Sequence, residues 1–213
     1  LVISGYYGMD NIVLDDESGI MDVGVSWSNL GTSLSYSKDF DVCNWATFVH
    51  FSGFQNKVDV SESIINVDAG SKLASTGVNS FVQFPLRDKF LLKTGVDWNS
   101  YFNEELSFAS TGIGLTSNHD ATLETMHEVS AFVNFEHEVV SWFNYSIGMR
   151  PSLWKNKELF YGIVPRVTMN FPINNEHQVK VHYGIYQQAL HKAGLTDGGL
   201  PTDYYFLAKE QNN

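Results

Sequence analysis

The sequence predicts an all-β chain built as an antiparallel up-and-down meander, and three observations predict it. Apolar and polar residues alternate with period two over much of the chain. In the clearest stretch Tyr161, Ile163, Pro165, Val167, Met169 and Phe171 share one face, with Gly162, Val164, Arg166, Thr168 and Asn170 on the other. Such alternation is the mark of a strand, whose successive side chains point to opposite sides. Brief turn-like runs punctuate the alternation. Pro172-Ile173-Asn174-Asn175-Glu176 leads from that stretch into Val179, Val181, Tyr183 and Ile185, which face away from Lys180, His182, Gly184 and Tyr186. Finally, 14% of the residues are aromatic, and Tyr, Phe and Trp favour strands.

Upstream the same plan repeats. Leu1 to Tyr7 reads as a strand tail, followed by an acidic connection from Asp10 to Glu17. Met21, Val23, Val25 and Trp27 form an apolar face against Asp22, Gly24 and Ser26; after Asn29-Leu30 a short strand follows with Thr32, Leu34 and Tyr36 against Ser33, Ser35 and Ser37. A turn from Asp39 to Asn44 leads to Trp45, Thr47, Val49 and Phe51, where Phe48 and Phe54 break the polar face. The run from Gln55 to Thr76 is polar and predicts an irregular loop. Val78, Ser80, Val82 and Phe84 make the next strand, and Pro85 to Lys89 turns it into Leu92, Thr94, Val96 and Trp98. A Ser-, Thr- and Gly-rich loop is expected from Phe102 to Thr125. Val129, Ala131, Val133 and Phe135 come next, with Phe132 as the exception on the other face, then a turn at His137 to Val140 and a strand carrying Phe143, Tyr145, Ile147 and Met149. Beyond Tyr186 a polar, aromatic and Gly-rich segment runs through Gly198 to Tyr205.

Composition narrows the function. With 213 residues the chain can bury one sizeable core, so nothing forces two domains. Lys+Arg of 13 against Asp+Glu of 24 gives a formal charge of −11, which argues against nucleic acid as a partner, because a phosphate backbone calls for a basic face. The single Cys43 excludes an internal disulfide framework and a cysteine zinc cluster. His127-Glu128 and His137-Glu138 lack a second His four residues on, and His177 and His182 fall on opposite faces of a strand. No metal site, no cofactor and no catalytic residue is expected, since Gly-x-Ser-x-Gly is also absent. The start of the chain lacks a basic region followed by an apolar core, so no signal peptide is read there.

No apolar run is long enough for a spanning helix. A spanning strand needs only ~9–11 residues with every second one apolar, which leaves no hydropathy peak. Two features favour a membrane barrel over a soluble sheet with one buried face, which gives the same alternation. Brief turns alternate with extended loops, as in barrels of the outer membrane. The charged strand residues also keep to one face. Lys93, Asp97, Asn99, Glu128, Arg150, Arg166, Lys180 and His182 are therefore expected to face a wet lumen, in contact with a plug or a solute. Tyr36, Trp45, Trp98, Tyr101, Trp142 and Tyr161 are expected to form interfacial girdles. Asp203, Tyr204 and Tyr205 are candidate ligand contacts on an extracellular loop.

The run Pro165-Arg166-Val167-Thr168-Met169, then Asn174-Asn175-Glu176-His177, Tyr183-Gly184-Ile185-Tyr186-Gln187-Gln188 and Gly199-Leu200-Pro201-Thr202-Asp203, resembles the TonB-dependent receptors, especially those of the Bacteroidetes. Gly5-Tyr6-Tyr7-Gly8-Met9-Asp10, Ser26-Trp27-Ser28-Asn29-Leu30 and Phe143 to Arg150 are similar to family strand ends and strands. The resemblance implies a barrel of about 22 strands around a plug, of which residues 1–213 are a part without plug or TonB box. It implies outer-membrane localisation and active uptake of a scarce nutrient such as a siderophore, vitamin, metal complex, glycan or peptide. The implied partners are outer-membrane lipid and lipopolysaccharide, the TonB complex through the plug region, a surface lipoprotein and the nutrient itself. A passive porin or structural barrel, and a soluble β-sandwich or lipocalin-like binding module, are the rival readings.

Overall fold

The computed structural model describes residues 1–15, 21–62, 64–87, 89–112, 115–119, 122–174, 176–187, 190–195 and 202–207. The described residues form an antiparallel β meander without helices. Its strands are β1 (Val2–Asp15), β2 (Met21–Asp39), β3 (Asn44–Glu62), β4 (Ile65–Arg87), β5 (Phe90–Gly112), β6 (Leu115–His119), β7 (Leu123–Val140), β8 (Phe143–Lys155), β9 (Leu159–Pro172), β10 (Gln178–Gly184), β11 (Leu190–Leu195) and β12 (Thr202–Leu207). One sheet runs β1-β2-β3-β4-β5-β7-β8-β9-β10, with β6 continuing the upper part of β5 as a short hairpin. The sheet is open: β1 and β10 are its edges. β11 and β12 pair separately as a hairpin, with β12 lying against β5.

Several sequence expectations need correction. β2 is continuous through Asn29 and Leu30, where a break was expected. The supposed irregular run from Gln55 to Thr76 belongs to β3 and β4, which pair in register from Glu62↔Ile65 to Asn44↔Gln83. The supposed loop from Phe102 to Thr125 holds the upper half of β5, all of β6 and the start of β7. The segment expected as a terminal loop contains β11 and β12, so Asp203, Tyr204 and Tyr205 sit in a strand, with their backbones opposite Gly194, Ala193 and Lys192; their side chains lie outside the described residues. The sorting into short turns and long loops is thus a sorting into turns and tall hairpins. Polar composition misled the reading because a two-stranded extension standing in water has no need for one uniformly apolar face.

Candidate lipid-facing surface and inner polar face

Register assigns every strand residue to one of two faces, since cross-strand partners share a side of the sheet. The row Phe51, Thr76, Ser100 and His127 lies on the first face; the next row, Ser52, Ser75, Tyr101 and Met126, lies on the second. Extended across the sheet, the first face carries Leu34, Val49, Val78, Val96, Val129, Val133, Ile147, Met149, Leu153, Ile163, Met169 and Val181. Most of these are exposed; Val96 is 57% accessible and Ile163 56%. The second face is the more buried one and is polar: Asp97 is 8% exposed, Ser130 2% and Ser152 4%. A water-soluble sheet is arranged the other way round.

The apolar band has a defined height. From Tyr145 to Leu153 on β8 and from Tyr161 to Phe171 on β9 it covers about ten residues, the length of a tilted strand crossing hydrocarbon. Above it both faces change character together. On the first face come Lys57, Asp59, Asp68, Lys72 and Glu104, with Lys57 3.6 Å from Asp68 and in contact with Asp59, and Lys72 2.8 Å from Glu104. On the second face, at the same height, Val23, Val25 and Val58 form a buried cluster flanked by Trp27 and Val60. Met126 and Trp154 form another with Tyr101 and Phe160. This overturns two expectations. Val23, Val25 and Trp27 share the side of Asn56 and Asn29, opposite to Leu34, so they are interior residues. Tyr101 belongs to no girdle: it is on the polar face, donating to Glu128 at 3.4 Å. Tyr36 and Trp45 do meet on the first face, edge to face with centroids 5.5 Å apart, near the β2–β3 turn.

In the upper, acidic outcrop the hydrogen bond from Asp68 holds the Asp59 carboxyl below its ordinary range, and the same contact pushes Asp68 up. The Lys57 ammonium is raised by its hydrogen bond to Asp59.

The eight sequence candidates Lys93, Asp97, Asn99, Glu128, Arg150, Arg166, Lys180 and His182 all fall on the second face. Three of them form a hub. Arg150 reaches Asp97 at 3.3 Å and Glu128 at 3.4 Å, and its Nε donates to Ser130 at 2.9 Å. Asn79 donates to the other oxygen of Asp97. Asn79 and Ser130 complete this network without having been singled out in the sequence, and Tyr101, expected in a girdle, joins it through Glu128. The signal for Asn79 and Ser130 was present: each lies on the polar side of its strand, and the register sets both opposite Asp97.

Lys93, Asp97, Arg150, Arg166 and His182 line a groove of about 440 Å³, together with Asn79, Phe132, Asn134, Glu136, Ser146, Gly148 and Thr168 among others. Asn99, Glu128 and Lys180 do not line it. His182 is held by Thr168 at 2.8 Å and contacts the Tyr186 hydroxyl. Lys180 is exposed opposite Asn170.

Glycines on this face let neighbouring groups come close. At Gly95 a Cβ would sit 2.5 Å from the Ser80 carbonyl oxygen, 2.7 Å from the Phe81 Cβ and 2.8 Å from the Phe132 ring, so the two aromatics close over a bare backbone.

No protein-family model matches the chain, and no curated protein matches it in sequence. Among solved structures, the unliganded ferric citrate transporter FecA is similar over 80% of this chain and 34% of its own, with a TM-score of 0.54 at 9% identity. The translocator domain of the autotransporter NalP from Neisseria meningitidis is aligned over 85% of this chain and 73% of its own, with a TM-score of 0.43 at 10% identity. The chain spans about a third of FecA's length. That likeness concerns the fold alone: this is an antiparallel meander of the outer-membrane β-barrel kind.

Proposed function

We propose that this chain forms part of the wall of a TonB-dependent receptor in the bacterial outer membrane, which takes up a scarce nutrient by ligand-gated active transport. The observation that carries the reading is the inverted polarity of the sheet: the apolar side is exposed over a bilayer's height while Asp97, Ser130 and Ser152 on the polar side are buried. A Lys or Arg near mid-bilayer costs ~2–4 kcal/mol, so a lipid-facing surface excludes charge this strictly. Open edges in lipid leave backbone groups unpaired, so β1 and β10 are flanked by further strands in the assembled barrel of about 22. The TonB-dependent part of the proposal rests on the sequence run from Pro165 to Asp203; the fold shared with FecA supports the barrel wall alone.

The test is uptake of labelled ferric siderophores, cobalamin and maltooligosaccharides by cells expressing the protein, with and without TonB. Saturable uptake of one of these that ceases without TonB is the expected result. Unsaturable uptake that survives loss of TonB assigns the passive-pore alternative instead. A purified protein that stays soluble and monomeric without detergent removes the membrane reading altogether.

A further inference from the structure

We propose that the β11–β12 hairpin is a strap laid across the inner face of the sheet, so that this chain narrows its own lumen, and that the strap lifts without any break in the wall. The inference rests on the reading of that face as the lumen wall.

The chain leaves the wall early. β9 begins higher up, at Leu159, but β10 pairs with it only as far as Gly184 opposite Arg166, and a last bond joins the Ile185 amide to the Pro165 carbonyl at 3.2 Å. Arg166 stands within the apolar band of β9, between Tyr161 and Phe171. Unpaired backbone at that depth is costly against hydrocarbon and is tolerated only toward a wet or protein-lined interior. The chain therefore has to turn inward, and its side chains show that it does. The Tyr186 hydroxyl meets Nε2 of His182, and the Tyr186 ring lies 6.0 Å from the Arg166 guanidinium, both partners being on the inner face. Gln187 goes further: a Cβ on Gly162 would fall on the Gln187 side-chain amide, and Gly162 shares the inner face with Ser152. The missing side chain of Gly162 is the seat of Gln187.

Beyond this turn, β12 lies against β5 and also touches β4 and β3, three consecutive strands of a sheet to which it does not belong. A strand in contact with three such neighbours lies over a face rather than along an edge. Burial identifies the face. Gly162, Trp154, Met126, Asn103, Ser71 and Asn56 trace one path over the inner side from β9 to β3, and all are buried. Gln55, Lys72 and Phe102, next to three of them in sequence, point outward and are exposed. Lower on the inner face, away from the Arg150 hub, Lys180 and His182 are exposed as well. The cover is thus one-sided and follows the route from Gln187 to β12. Among the described residues, β11 and β12 pair only with each other. The strap is therefore hinged at Ile185 to Gln187, and raising it breaks none of the wall's ladders, the kind of local opening that costs far less than unfolding.

Thiol reactivity tests the strap, in the full protein inserted into lipid vesicles and in a Cys43→Ser background. Asn103→Cys reports from under the hairpin, and Asn99→Cys, lower on the same face, gives the reference rate. With a small charged maleimide, Asn103→Cys is expected to react about tenfold more slowly than when an equally long Gly-Ser run replaces residues 190–207. Gly162→Leu, which takes the seat of Gln187, should move the rate toward that of the Gly-Ser protein. In planar bilayers the Gly-Ser protein should carry the larger single-channel current. No wall ladder includes the replaced residues, so its β-sheet circular dichroism should persist. Equal rates at Asn103→Cys with and without the hairpin, or equal currents, overturn the inference, and an unchanged rate in Gly162→Leu overturns the hinge. Vesicle insertion separates the two readings. A protein that inserts with a freely reactive Asn103→Cys sinks the strap alone, and one that does not insert sinks the lumen wall and the strap with it.

Discussion

Val129 and Ser130 are consecutive in β7, yet Val129 is 50% exposed and Ser130 is 2% exposed. The apolar residue looks out and the hydroxyl is enclosed, where it accepts from Arg150 and donates to Asp97 at 3.4 Å. The same reversal recurs at Val96 and Asp97 on β5, 57% and 8% exposed.

Charge on the apolar band should therefore be costly only within the band. Val96→Arg, near its middle, is expected to destabilise the protein in lipid by about 2–4 kcal/mol. Ser61→Lys, on the same face of β3 but above the band, is expected to be near neutral. Urea titration of the protein refolded into vesicles measures both, and equal effects would refute the placement of the boundary.

Removing Arg150 strands two enclosed carboxylates. Arg150→Met should cost about 3 kcal/mol, the lower end for leaving a buried charge without its partner, since Arg150 itself is partly accessible. Adding Asp97→Asn should recover a large part of that loss. A double-mutant cycle on the same unfolding signal reads the coupling.

The closed seam at Gly95 predicts a steric effect. Gly95→Ala places a methyl against the Ser80 carbonyl and two Phe side chains, and overpacking of this kind costs about 1–3 kcal/mol. Gly31→Ala, whose Cβ would meet nothing within 4 Å, is the control and should change little.

The acidic outcrop predicts an uneven titration. Asp68, raised by Asp59, should take up its proton above the ordinary aspartate range as pH falls, and Asp59 should do so below it. The two signs oppose each other. The contribution from Asp59 is present above its unfolded pKa and lost as pH falls through the lowered one. The contribution from Asp68 is present at low pH and lost as pH rises through the raised one. Asp59→Asn is expected to return Asp68 toward its ordinary value, followed by carboxyl chemical shifts or infrared difference spectra.

Within the apolar band the strands were legible, because one face there keeps apolar residues at nearly every second position. Val129 to Phe135 and Tyr161 to Phe171 announce themselves by that constraint. Above the band the constraint lapses. Lys57, Asp59 and Lys72 point outward there and Val58 inward, so a reader looking for a continuous apolar side finds a polar muddle and infers a loop. Val23 and Val25 misled in the opposite way: they alternate cleanly, but for the interior, and only their register with Val58 and Val60 reveals it. Among the site residues, alternation alone set Lys93 and Arg166 on one face. That they occupy one row depends on the pairing through Asn134 and Gly148, which no local pattern encodes.

The strands differ greatly in height. β4 and β5 have 23 residues each and β9 has 14, roughly 75 Å against roughly 45 Å of extended chain. If all are seated at the same depth by their common apolar band, the outer rim is a parapet on one flank and a low sill on the other. In the proposed barrel wall Arg166 would then stand closer to the upper end of β9 than Asp97 does to that of β5.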